Sequence, residues 1–91
     1  MFNTLLTITW PPNNTGLPPE ANPAYNPCRE LISMKIDEMQ TANLLGTIIA
    51  GNLINRMVFV DSASALEYQN YLTEVLIDLN QAVPEFAITT I

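Results

Sequence analysis

Histidine is absent from this chain, and cysteine occurs once. Those gaps exclude most metal and nucleophile chemistry. Zinc sites draw several Cys or His ligands at set spacings, and Cys28 stands alone. Cys28, Ser33, Ser62 and Ser64 have no imidazole to activate them. Cys28 also has no partner for an internal disulfide, and on a helix stripe it reads as a small hydrophobe. Glycine is scarce as well. Gly16, Gly46 and Gly51 lie too far apart for a phosphate-cradling loop. No Asp/Asn/Gly loop supplies regular calcium ligands. The adjacent carboxylates Asp37 and Glu38 point about 100° apart on a helix and do not converge on one bond. No catalytic, cofactor-binding or metal-ligating residue is expected, and no cofactor.

Positive charge is the next shortage. Arg29, Lys35 and Arg56 stand against nine acids, for a net charge of −6. Nucleic-acid binding needs clustered bases that displace counterions, and anionic membranes ask the same, so neither partner is expected. No apolar run approaches the ~20 residues of a membrane span. Met1-Phe2-Asn3-Thr4 lacks the basic start of a secretory signal.

What the chain does have is apolar content. Hydrophobic residues make up 48% and charged residues 13%, the latter about half the globular norm of ~25%. Ninety-one residues suit one domain, 1–91, with a thin core. Charge this sparse implies either a surface of Asn and Thr or a surface partly covered by another subunit.

Periodicity then orders the elements. Met1 to Trp10 alternates, with Leu6, Ile8 and Trp10 on one side and Leu5, Thr7 and Thr9 on the other. Residues 11–27 hold six of the seven prolines and read as a long semi-extended loop. Asn26-Pro27 is a helix-start signal. Cys28, Leu31, Ile32, Lys35, Ile36 and Met39 follow at helical spacing, with Asn43 or Gly46 as the stop. A strand through Leu31–Asp37 competes, but the cap, the length and the helix formers favour helix. Gly51-Asn52 separates two apolar runs and suits a type II′ hairpin turn with Gly at its first central position. On the second run Leu53, Asn55, Met57 and Phe59 share one face, and Ile54, Arg56, Val58 and Val60 the other. Both faces are largely apolar, as in a strand covered on both sides. Ser64 and Glu67 have capping-box spacing for a second helix, with Asp61 or Ser62 as alternative caps. Its stripe is Ala65, Tyr68, Leu72, Val75, Leu76 and Leu79, and Asn80 to Pro84 breaks it. Phe86 to Ile91 forms a last strand.

The order β-α-β-β-α-β predicts an α+β, ferredoxin-like sandwich: a four-stranded antiparallel sheet with two helices on one face. The open face of such a sheet needs a cover. Leu53, Met57 and Phe59 are the expected apolar set there, and a second copy of the chain is the expected cover. Arg56 suits either an edge or rim position or an ion pair across that interface. Trp10, Tyr68 and Tyr71 suit core, subunit interface or a ligand cavity.

Several segments resemble small uncharacterised proteins of tailed phages that infect marine cyanobacteria. They are Thr7-Ile8-Thr9-Trp10-Pro11, Arg29-Glu30-Leu31, Lys35 through Met39-Gln40-Thr41-Ala42, and Arg56 through Tyr71 with its Asp61-to-Ala65 helix start. The proline loop and Leu44-Leu45 depart from that pattern. The resemblance implies a phage-related protein of the host cytoplasm or the virion, and it transfers no functional residue. The leading expectation is a non-enzymatic, self-associating structural or interaction protein, acting as a homodimer. A small-molecule binder or cofactor-free enzyme with a cavity between helices and sheet is one alternative. An acidic inhibitor of a basic host protein is another.

Overall fold

A computed structural model describes residues 2–11, 26–51 and 53–91. Its elements run β1 (Thr4–Thr9), α1 (Asn26–Thr41), β2 (Leu45–Ala50), β3 (Ile54–Phe59), α2 (Ser62–Asp78) and β4 (Glu85–Thr90). The strands form one antiparallel sheet in the order β2-β3-β1-β4. The proline loop falls almost wholly outside the described residues.

Alternation on β1 sets the two faces. Leu6, Ile8 and Trp10 are buried, while Leu5 and Thr7 are half-buried and Thr9 is exposed. Register carries this division across the sheet. Leu6 lies between Met57 and Ile88, and Ile8 lies between Asn55 and Phe86. Cys28, Ile32 and Met39 of α1 and Ala65, Tyr68, Leu72 and Leu76 of α2 join these residues in one core. Both helices therefore pack on that side. Phe59 meets Tyr68 with ring centroids 5.9 Å apart and planes tilted by 38°.

Local signals explain the helix ends. Asp61 is the N-cap of α2, and its carboxylate accepts from the Ser64 amide at 2.8 Å. The earlier of the competing caps wins because its side chain reaches the third helical amide, an orphan donor. Both helices stop the same way. Asn43 and Asn80 hold left-handed backbone, with φ of 61° and 58°. The amides of Asn43 and Leu44 donate to the carbonyls of Gln40 and Met39, and those of Asn80 and Gln81 to Ile77 and Leu76. These are Schellman closures, in which asparagine tolerates the left-handed residue.

One expectation is corrected at the hairpin. The Gly51 amide donates to the Ile54 carbonyl at 2.7 Å, so Gly51 and Ile54 form the closing pair. Gly51 flanks the turn instead of filling its first central position, and Asn52 lies outside the described residues. Strand pairing reaches one residue further than the glycine suggested. In β2, Leu45 pairs with Phe59 and Ile48 pairs with Met57, so a bulge inserts one extra residue. The bulge returns Ile48 to the helix side and leaves Ile49, opposite Arg56, on the other.

Candidate functional site

The sheet face away from the helices is the first candidate. Its rows are Ile49-Arg56-Thr7-Ala87, then Val58-Leu5-Thr89, then Ile54-Thr9-Glu85. Small apolar and threonine side chains dominate. Arg56 and Glu85 are the only charged residues in these rows, and both are exposed. Among the described residues no ion pair engages Arg56.

This placement overturns part of the expected interface set. Met57 and Phe59 are 2% and 0% exposed, sealed between sheet and helices. Leu53 precedes β3 and is partly exposed. Arg56 is the member that reaches the open face. The physical reason is charge. Helices would have to desolvate a guanidinium if they covered the Ile54-Arg56-Val58 side, at a cost of several kcal/mol for an unpaired ion. They cover the side with Phe59 and Met57 instead. Leu5, Ile49, Ile54 and Val58 therefore replace the expected apolar set. Arg56 was the signal that could have identified them, except for Ile49, whose direction depends on the bulge.

Behind the sheet lies a second feature. A cavity of about 240 Å³ opens between α1 and the β1, β2 and β3 strands. Ile8, Met57, Ile32, Ile36 and Ile48 supply apolar lining. Trp10, Asn55 and Tyr68 also line it, with Arg29 and Ser33 from α1. The indole N–H of Trp10 donates to the side-chain oxygen of Asn55, so the buried amide has a partner within the core. Tyr71 does not line this cavity. Its hydroxyl donates to the Leu31 carbonyl at 3.3 Å, and its ring lies 5.3 Å from Lys35 Nζ.

Lys35 ties the helices together. Its ammonium donates to Glu67 at 2.8 Å and to Glu38 at 3.2 Å. The Glu67 hydrogen bond is the main reason its pKa is raised, and the Glu38 contact acts in the same direction. Burial raises the Cys28 thiol, which keeps it protonated and inert. Among the described residues no group of three His, Cys, Asp or Glu could hold a metal ion, and no helix is long and apolar enough to cross a membrane. No family model, curated protein or solved structure matches this chain.

Proposed function

We propose that this protein is a non-enzymatic interaction or structural protein that self-associates through the open face of its sheet. The observation that carries this reading is that face's chemistry: apolar and threonine side chains around one exposed arginine, turned away from both helices. The strand order, read from β4 as 4-1-3-2, supports a ferredoxin-like sandwich, in which helices cover one face alone. The resemblance of its short motifs to small cyanophage proteins supports a phage-related origin, in host cytoplasm or virion.

Charge favours a second copy as the cover. Arg56 and Glu85 sit on different strands of the same face, so a two-fold axis midway between them would set each arginine against the other copy's glutamate. Area limits the strength. Four strands of six residues span about 19 Å by 20 Å, or about 380 Å² a side. Twice that lies below the ~1,200 Å² of a stable complex, so the dimer is weak and reversible.

Sedimentation from about 5 to about 500 µM tests this, and the mean mass should climb toward twice the monomer. Arg56→Glu should hold the chain as a monomer, and adding Glu85→Arg should restore association. A single monomeric species at the highest concentration would sink the proposal.

A further inference from the structure

The cavity behind the sheet carries an inference that does not depend on self-association. We infer that it is a binding site for a small apolar carboxylate of roughly ten non-hydrogen atoms. Size sets the body of the ligand. An apolar cavity of ~150 Å³ admits benzene, so about 240 Å³ admits a molecule half as large again. Lining sets its character. Ile8, Ile32, Ile36, Ile48 and Met57 offer it aliphatic contact from three strands and a helix.

Polar groups set its head. Arg29 and Ser33 lie one helical turn apart on α1, on the same side of the helix, and both line the cavity. A guanidinium and a hydroxyl so placed match the two oxygens of a carboxylate. Arg29 is engaged within the protein, and of its five N–H donors the buried Nε–H makes no hydrogen bond. Asn55 and Trp10 form the polar part of the lining and already hydrogen-bond one another. They therefore favour a ligand body without further polar groups. Ile48, on the edge strand β2, lines the cavity and is 37% exposed.

Trp10 is the chain's one tryptophan and lines the cavity, so its fluorescence reports occupancy directly. Octanoate and 1-octanol are the probes, titrated into the full chain. Octanoate should give a saturable change. Arg29→Gln should weaken octanoate about tenfold while leaving 1-octanol within about twofold. Ile48→Tyr, at a half-open edge position, should abolish binding of both. If Arg29→Gln unfolds, Ser33→Ala carries the same comparison: weaker octanoate with unchanged 1-octanol supports the site, and no change overturns it. No saturation by about 5 mM octanoate, or equal losses for acid and alcohol in Arg29→Gln, overturns the inference. Sedimentation of the same samples keeps this outcome separate from that of the dimer.

Discussion

On one side of β3, Asn55, Met57 and Phe59 lie sealed under two helices. On the other, Ile54, Arg56 and Val58 face away from them. Each side carries two large hydrophobes and one polar residue. What separates them is the kind of polar residue. An amide is neutral and finds its partner in the Trp10 indole. A guanidinium keeps its charge at any ordinary pH and stays with water or a counter-ion. One charge in six residues thus weighs against burying the face that carries it.

The largest expected effect tests the division directly. Phe59→Ala should lower stability by about 3–5 kcal/mol, as a fully buried aromatic leaves a cavity. Whole-chain stability is only about 5–14 kcal/mol by the per-residue rule, so the loss should be plain in a urea titration. Val58→Ala, one residue away on the open face, should cost less than about 1 kcal/mol. Equal losses would break the comparison.

Asn55→Ala should come next, at about 1–3 kcal/mol, because the buried Trp10 N–H loses an acceptor. Arg56→Ala should change monomer stability by no more than about 0.5 kcal/mol. Urea midpoints for the pair measure how differently the two faces treat a polar side chain.

A smaller effect sharpens the account of what holds the cover on. Lys35 bridges α1 to α2 through Glu67, and its pKa is raised above the ordinary 10.5 mainly by that hydrogen bond. The stability it contributes is therefore fully present below the unfolded lysine value and is lost as pH rises through the folded one. Both glutamates are half or more exposed, so Lys35→Met should cost only about 0.5 kcal/mol at neutral pH. The variant should also lose part of the fall in midpoint seen in strong alkali.

Asp61 should show the smallest effect and the opposite sign. The Ser64 amide holds its carboxyl below the ordinary value. Its contribution is present above the unfolded carboxylate range and fades as pH falls through the lowered folded value. Asp61→Asn keeps a capping oxygen but does not titrate. Thermal scans at neutral and acid pH should therefore find the variant less acid-sensitive than the parent.

Much of this architecture was legible because its signals are local. Asn43 and the Asn80–Pro84 segment mark stops that the left-handed Asn43 and Asn80 now explain. The stripe from Ala65 to Leu79 matches the inner side of α2, with Val75 and Leu79 at its half-buried margin. The candidate site was legible only in part. Met57 and Phe59 lie on the helix side and Leu53 precedes β3, while Arg56, which alternation sets opposite Met57 and Phe59, lies on the open face. The bulge in β2 was not legible at all, since Leu-Gly-Thr-Ile-Ile-Ala alternates neither as one clean strand nor as two. The grouping of Arg29 and Ser33 with Ile48 and Asn55 around one cavity was equally hidden, because it joins three elements far apart in sequence.

By itself the sequence determined the order of elements, their stops and the near-absence of reactive groups. These follow from neighbouring residues: caps, turn formers, periodicity and composition. Tertiary structure alone decided which face of each strand the helices cover, where the bulge re-aims β2 and which side chains surround the cavity. Alternation states that a strand has two faces and is silent about which is inside. That choice depends on summed burial and desolvation across four paired strands, and no single stretch of chain carries the sum.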